Sequence, residues 1–290
     1  MSLLLGAFLG LFQGITEFLP VSSSGHLNLL QALFGLNTEN QLLFNILLHV
    51  GTLIPVAIVF WKDWWDMLRH PIKNRTLLLL FVASLPALAA KLLFGDQIDY
   101  LETHNILLGV CFLFTGLLLL LTQRKLVRTE KLEQETAGEV SFFHALCMGG
   151  MQAIGILPGV SRSGSTIFGG VISGLNREKA AKFSFMMSAP AIVAGLLSEG
   201  YDAIKGGTVF AAADIPAIAL GVVIAAVSGY FAIRFMLRLI AKASLNWFAL
   251  YVTVLGIVVI VLQVTGVLVD VPADVPEVIV QNARLLVPVG

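Results

Sequence analysis

The chain has 290 residues, of which 57% are hydrophobic and only 12% are charged, whereas about 25% of the residues of a typical soluble domain are charged. So few charged side chains cannot coat a soluble protein of this length, and the same composition excludes a disordered chain or a secreted disulfide scaffold. The 18 basic residues balance the 18 acidic ones, so bulk charge gives no reason to expect nucleic acid as a partner. The composition is that of an integral membrane protein.

The first predicted element is an apolar stretch over residues 3–35 that is interrupted at LPVSSSGH, residues 19–26. Proline, glycine and clustered serines interrupt a helix at such a place. The arm after the break is about nine residues long and covers about 14 Å at 1.5 Å per residue, which is too short to cross a bilayer. We therefore predict that this stretch enters the membrane and turns back as a re-entrant helical hairpin.

Six apolar stretches have the length of about 20 residues that a membrane-spanning helix needs. In chain order they cover residues 42–60, 76–94, 105–122, 183–198, 215–237 and 247–269. Between the third and the fourth lies a second interrupted stretch, residues 142–174, whose break is LPGVSRSGST at 157–166. Because basic residues flank both of its ends, this stretch is also predicted to turn back inside the membrane.

The connections between the spans alternate in charge. Residues 62–75, 123–140 and 234–243 each hold three or four Lys and Arg, whereas residues 95–104, 199–214 and the tail after residue 269 hold at most one Lys or Arg each and three Asp and Glu each. Short cytoplasmic loops carry an excess of Lys and Arg. The basic group is therefore predicted to be cytoplasmic, and the acidic group, with the C-terminus, to lie outside.

The two hairpins look like copies of each other. A shift of 139 residues without gaps aligns Gln13 with Gln152, Val21 with Val160, Ser22 with Ser161, Ser24 with Ser163 and Gly25 with Gly164. Each copy, approximately residues 1–125 and 140–270 of a single membrane domain over 1–290, holds one hairpin and three spans. The odd number of crossings inverts the second copy. The predicted fold is thus an all-α polytopic membrane protein, with six spanning helices and two re-entrant hairpins arranged as an inverted-topology repeat.

Apart from Arg234, at the basic end of the fifth span, only Glu17, Lys91 and Arg162 are charged residues within apolar segments. Lys91 is near the end of its helix and can extend to the membrane interface. Glu17 and Arg162 lie beside the two breaks, where an unpaired charge is costly. A structural ion pair between the hairpins is the simpler interpretation, but the neighbouring residues favour a functional one.

Polar groups surround both charges in the sequence. Gln13 is four residues from Glu17 and shares its helix face, and a hydroxyl cluster follows each break. These clusters comprise Ser22, Ser23, Ser24 and His26 after the first break, and Ser161, Ser163, Ser165 and Thr166 around Arg162 after the second. Helix starts bind anions through free N–H groups, and a guanidinium binds phosphate in a bidentate way. We therefore predict a phosphate site, and we interpret His49 as a packed polar residue of a span.

The residues FQGITEFLPVSSSGH at 12–26 and LPGVSRSGST at 157–166 resemble the two signature motifs of the undecaprenyl-diphosphate phosphatase family, also called bacitracin resistance proteins. The resemblance covers nearly the whole chain and includes its length and hydropathy. Many members have a second Glu where this chain has Gln13, so this copy is expected to depend more heavily on Glu17.

The resemblance implies a multi-pass enzyme of the bacterial inner membrane that removes the terminal phosphate of undecaprenyl diphosphate, a polyprenyl lipid, at a site open to the periplasm. The product is reused in peptidoglycan synthesis, and the activity is expected to give bacitracin resistance. A divalent cation, Mg²⁺ or Ca²⁺, is implied as cofactor. The residues carried over by motif position are Gln13, Glu17, Ser22, Ser23, His26, Ser161, Arg162, Ser163 and Thr166.

The roles assigned to these residues are a hypothesis. Glu17, Ser23, His26 and Arg162 are the expected catalytic residues, with Ser23 as nucleophile and His26 accepting its proton. His26 itself, or water, is an alternative nucleophile. Ser22, Ser161, Ser163 and Thr166 are expected to bind phosphate with Arg162. Glu17 and Gln13 are expected to hold the cation.

Two other functional classes compete with the enzyme. A secondary transporter or lipid flippase is commonly built on the same inverted-repeat plan, but the embedded polar residues cluster at the two breaks and are sparse along the other helices. A passive lipid-binding subunit has no need of Glu17 and Arg162. Besides its lipid substrate and the bilayer lipids, the chain is compatible with a homodimer, because small residues along its helices allow close packing within one chain or between two.

Overall fold

The computed structural model describes residues 1–35, 41–129, 139–206, 210–240 and 243–268, and the regular secondary structure within these ranges is entirely helical. The helices are α1 (Leu3–Phe18), α2 (Ser23–Leu33), α3 (Gln41–Val59), α4 (Trp61–Arg69), α5 (Arg75–His104), α6 (Leu108–Thr129), α7 (Phe142–Ile154), α8 (Arg162–Ile172), α9 (Arg177–Gly206), α10 (Ile215–Ile240) and α11 (Asn246–Val264). Six of them, α3, α5, α6, α9, α10 and α11, are long and apolar enough to cross a membrane. The predicted all-α membrane fold with six spans is confirmed.

Two spans extend well beyond their predicted ends. Helix α5 continues through residues 95–104, which were predicted to form an outer loop, with a kink at Phe94 (φ −129°, ψ 22°). Helix α9 likewise continues to Gly206. The predicted span ends at residues 94 and 198 were wrong because hydropathy marks where the apolar surface ends, while a helix continues as long as its backbone hydrogen bonds do. Helix α5 stops at Asn105, which adopts a left-handed conformation (φ 54°).

Short helices on either side of a break form the two predicted hairpin segments. Helix α1 ends at Phe18, since Leu19 precedes Pro20 and is extended (ψ 144°). The second break contains Gly159 at φ 88°, a conformation that only glycine adopts without strain. Each break is therefore imposed by local backbone chemistry.

Helix starts in the two halves repeat at the offset seen in the sequence. Ser23 begins α2 and Arg162 begins α8, which is a separation of 162 − 23 = 139 residues. The packing follows the same relation, because α1 packs against α10 and its counterpart α7 packs against α5. Close backbone approach marks both contacts: a Cβ at Gly10 would lie 2.2 Å from the carbonyl oxygen of Gly221, and one at Gly149 would lie 2.5 Å from that of Ala83.

The two breaks meet inside the helix bundle. A Cβ on Gly25 would lie 2.8 Å from the Cα of Gly159, so the start of α2 touches the second break directly. The hydroxyl of Ser163 donates to the carbonyl of Leu19 over 3.1 Å, which links the start of α8 to the end of α1. These contacts place the polar clusters of the two hairpins beside each other.

Contacts between the helix ends agree with the predicted grouping of the loops. Lys182 pairs with Asp63 at 2.7 Å, and both were assigned to the basic side. On the acidic side, Lys91 lies 3.6 Å from Glu199 and also pairs with Asp99, so its side chain extends towards the acidic residues at this end of the helices. The tail residues Asp270, Asp274 and Glu277, and Lys131 and Lys242 of the basic loops, lie outside the described residues.

Candidate active site

Glu17, near the end of α1, is the centre of a buried polar cluster; its side chain is 3% exposed. Its Oε1 accepts a hydrogen bond from Arg162 Nη2 at 2.6 Å. Its Oε2 accepts from Ser23 Oγ at 2.6 Å and from Gln13 Nε2 at 3.0 Å. Four helices thus contribute to one carboxylate, because the imidazole of His49 on α3 also lies 3.4 Å from Oε2.

Arg162 is the first residue of α8, and its guanidinium reaches across from the second hairpin. Nη2 is bonded to Glu17, whereas the buried Nη1 has no hydrogen-bond partner among the described residues. A buried N–H group without an acceptor is costly. The free edge of this guanidinium is therefore suited to an anionic ligand, and the charge pair with Glu17 holds it in place.

Ser23 is the first residue of α2, and the structure pairs its hydroxyl with Glu17. This differs from the sequence analysis, which paired Ser23 with His26. His26 lies three residues further along the same helix, and its Nδ1 turns back to the carbonyl of Ser22 at 2.7 Å. The carboxylate of Glu17, rather than the imidazole of His26, is in position to accept the proton of Ser23.

His26 lies in an aromatic environment. Its Nε2 is 2.7 Å from the hydroxyl of Tyr251 on α11, and the two rings stack with their centroids 5.7 Å apart. Phe112 contacts the imidazole edge-on at 5.4 Å. Because the Ser22 carbonyl can only accept, Nδ1 carries a proton, and a neutral His26 then accepts from the Tyr251 hydroxyl at Nε2.

His49 is a site residue that sequence reasoning missed. Its Nδ1 donates to the carbonyl of Asn45 over 2.8 Å, which fixes the ring with Nε2 towards Glu17. The sequence offered one signal, an imidazole in the middle of an apolar span, but nothing in the spacing connects α3 with the hairpin breaks. Tyr251 was missed for the same reason, since its partner His26 is 225 positions away.

The remaining predicted phosphate ligands lie close to the breaks, with their hydroxyls engaged inside the protein. Ser22 and Ser161 cap α2 and α8 by accepting from the backbone N–H of Gly25 and Gly164. The hydroxyl of Thr166 bonds to the carbonyl of Arg162 at 2.8 Å and to Ser184 at 2.5 Å. Together with the Ser163 contact to Leu19, these bonds position the helix starts.

The expected cation site consists of Gln13 and Glu17. The described residues contain no group of three His, Cys, Asp or Glu side chains with metal-site geometry. However, the Oε1 of Gln13 is buried and has no hydrogen-bond partner among the described residues. One free amide oxygen beside one carboxylate fits a hard cation that keeps most of its water and binds largely through substrate phosphates.

Comparison with known proteins matches most of the chain to one protein family. The family model described as "Bacitracin resistance protein BacA" matches residues 6–258. A protein of Carboxydothermus hydrogenoformans named undecaprenyl-diphosphatase is 43% identical over 89% of this chain and 96% of its own length. Proteins of the same name from Halothermothrix orenii and Thermodesulfovibrio yellowstonii are 40% and 38% identical, each over 88% of this chain and over 96% and 95% of their own lengths.

Proposed function

The chain belongs to the bacitracin resistance protein BacA family, and we propose that it is an undecaprenyl-diphosphatase that returns undecaprenyl phosphate to peptidoglycan synthesis. The similarity to relatives of that name extends over nearly the whole chain. The enzyme is thus a membrane hydrolase of a phosphoric anhydride, and bacitracin resistance follows from recycling the lipid carrier.

One observation supports this function above all: the Glu17–Arg162 pair joins the two hairpins, and among the described residues no acceptor occupies the other edge of the guanidinium. A purely structural ion pair would be expected to use both edges, since an unsatisfied buried donor is costly. With Ser23 on the other oxygen of Glu17, the cluster contains an anion ligand, a hydroxyl nucleophile and a base within one hydrogen-bond network.

The proposed reaction has two steps. The oxygen of Ser23 attacks the terminal phosphorus while its proton passes to Glu17, and the anhydride P–O bond breaks to release undecaprenyl phosphate. Water then hydrolyses the phosphoserine, and phosphate leaves. Arg162 Nη1 and the N–H groups at the starts of α2 and α8 stabilise the charge that develops on the transferred phosphoryl group.

His26 is less suited to be the nucleophile in this geometry, because both of its ring nitrogens are engaged, with Ser22 and with Tyr251. Direct attack by water, with Glu17 as base, is the second alternative. Trapping the phosphoryl-enzyme and mapping the label separates the three: phosphate on Ser23 supports the proposal, whereas phosphate on His26, or on no residue, contradicts it.

A divalent cation, Mg²⁺ or Ca²⁺, is proposed to be held by Gln13 Oε1 and Glu17 together with the substrate. When bound, it neutralises charge on the diphosphate. We further propose that the protein lies in the bacterial inner membrane with its basic loops in the cytoplasm. The first hairpin, whose Asn28 donates to the Glu102 carbonyl on the acidic side, then opens towards the periplasm.

Phosphate release from undecaprenyl diphosphate by the purified protein in detergent tests this function. Release should be abolished or nearly so in Glu17→Ala and retained in the matched control Glu178→Ala, whose side chain is exposed. A transporter, a flippase or a passive lipid-binding protein would release no phosphate in either case. Equal release by wild type and Glu17→Ala would reject the site.

A further inference from the structure

An apolar cleft lies beside the site, between the second half of α1 and the first turns of α11. Its volume is about 380 Å³, which is within the range of roughly 300–1,000 Å³ typical of small-molecule pockets. The side chains that matter here are Phe12, Ile15, Leu19, Trp247, Phe248 and Tyr251. Four of these six are aromatic, so the cleft offers a rigid apolar wall.

The cleft adjoins the site at two points. Tyr251 lines the cleft with its ring while its hydroxyl is bonded to His26. Leu19 lines it with its side chain while its carbonyl accepts from Ser163, next to Arg162. A ligand that places an anion at Arg162 can therefore place the atoms that follow in the cleft.

We propose that this cleft binds the first isoprene units after the diphosphate of the polyprenyl substrate. The inference rests on the proposed function and assigns the part of the enzyme that recognises the lipid chain. The cleft is too small for the whole chain of a long polyprenyl lipid. Trp247 and Tyr251 are 76% and 48% exposed, so the cleft is open at the protein surface and the rest of the chain can extend out of it.

The position of the cleft also explains how an apolar chain and a charged head are bound together. The diphosphate is held where Arg162 compensates its negative charge, and the chain leaves this polar cluster past Tyr251. The Tyr251 ring is apolar on the cleft side and its hydroxyl faces His26, as suits a boundary between an apolar and a polar environment. A substrate without the chain would be held at the phosphate end alone.

Filling the cleft is the direct test. Ile15→Trp should lower kcat/KM for farnesyl diphosphate, which has three isoprene units, by at least tenfold. For dimethylallyl diphosphate, which has one unit, kcat/KM should fall by less than twofold. The difference is expected because burial of apolar surface contributes about 25 cal/mol per Å² to binding. Leu11→Trp is the matched control. Leu11 lies one turn earlier on the same face of α1, and both residues are 41% exposed, but Leu11 does not line the cleft.

A second variant tests the same proposal in case Ile15→Trp does not fold. Trp247→Ala removes one wall at a largely exposed position and should raise KM for farnesyl diphosphate several-fold with kcat retained. The proposal is overturned if both variants are active and keep the wild-type preference for farnesyl over dimethylallyl diphosphate, because kcat/KM is then unchanged or falls equally for the two substrates. It is also overturned if ordinary phospholipid competes with the prenyl chain as well as another prenyl lipid does. Absence of phosphate release from every prenyl diphosphate by wild type would instead refute the proposed function, and the cleft assignment with it.

Discussion

Arg162 Nη2 and Glu17 Oε1 lie 2.6 Å apart although 145 positions separate the residues in the chain. Each residue stands at the break of a different hairpin, and each would be costly in a membrane without the other. The pair therefore connects the two halves of the molecule at their breaks. It also leaves Nη1 of the guanidinium without a hydrogen-bond partner among the described residues.

Arg162→Lys should lower kcat by about 100-fold, because removal of a single charge-stabilising donor typically costs 10²–10³ in rate. Lysine retains the charge but cannot donate from two fixed positions at once. The measurement is phosphate release at saturating substrate. Arg124→Lys, at an exposed position, is the control and should behave as wild type; near-normal kcat in the Arg162→Lys variant would contradict the phosphate-binding role.

Ser23→Ala should abolish accumulation of a phosphoryl-enzyme and lower kcat strongly, since the proposed nucleophile is lost. Rapid acid quenching after mixing with a substrate labelled in the terminal phosphate measures the intermediate. Ser173→Ala, which removes a hydroxyl that donates to the Gly170 carbonyl of its own helix, should leave the intermediate intact. If the Ser23→Ala variant is still labelled, a group other than Ser23 is the nucleophile.

His49→Leu should lower kcat by roughly tenfold, because it removes the imidazole whose Nε2 lies 3.4 Å from Glu17 Oε2, and a loss of about 1.4 kcal/mol of stabilisation corresponds to a factor of ten in rate. The variant removes the contact with Glu17 Oε2 without touching the hairpins themselves. Exposed His70 supplies the control, and His70→Leu should have wild-type kcat. If His49→Leu is fully active, the imidazole is merely a packed residue, as the sequence analysis supposed.

Gln13→Glu should lower the concentration of Mg²⁺ or Ca²⁺ needed for half-maximal activity, because a second carboxylate strengthens binding of a hard cation. The measurement is a metal titration after treatment with a chelator. Gln13→Ala should shift the requirement the other way, since it removes the free Oε1. Identical metal dependence in all three proteins would place the cation elsewhere.

Gly25→Ala should reduce stability by about 1–3 kcal/mol, the typical cost of overpacking a tight contact. The added methyl would lie 2.7 Å from Phe112 Cζ and 2.8 Å from Gly159 Cα. Thermal unfolding in detergent measures the loss. Gly150→Ala is the control: apart from its chain neighbours and the backbone of its own helix, no atom of the described residues lies within 4 Å of its Cβ position, so this helical substitution should be neutral or stabilising. Equal midpoints for Gly25→Ala and wild type would mean that the breaks do not meet.

Much of the molecule could be predicted from sequence because the membrane imposes simple rules. Uninterrupted apolar stretches of about 20 residues were predicted to be spans, and Glu17 and Arg162 stood out as charged residues within apolar segments. The continuation of α5 past residue 94 could not be read from hydropathy, since polar residues also form helices. The contacts of His49 and Tyr251 depend on which helices pack together, and no local pattern specifies that.

The central claim is that Glu17 and Arg162 act as one site on one diphosphate, and a double-mutant cycle tests it most directly. The quantity is kcat/KM for undecaprenyl diphosphate in wild type, Glu17→Gln, Arg162→Lys and the double variant. Groups that act as a unit are strongly non-additive, so the double variant should lose no more than the more damaging single change. Losses that multiply, or single variants with wild-type rates, would show that the two residues do not share a site.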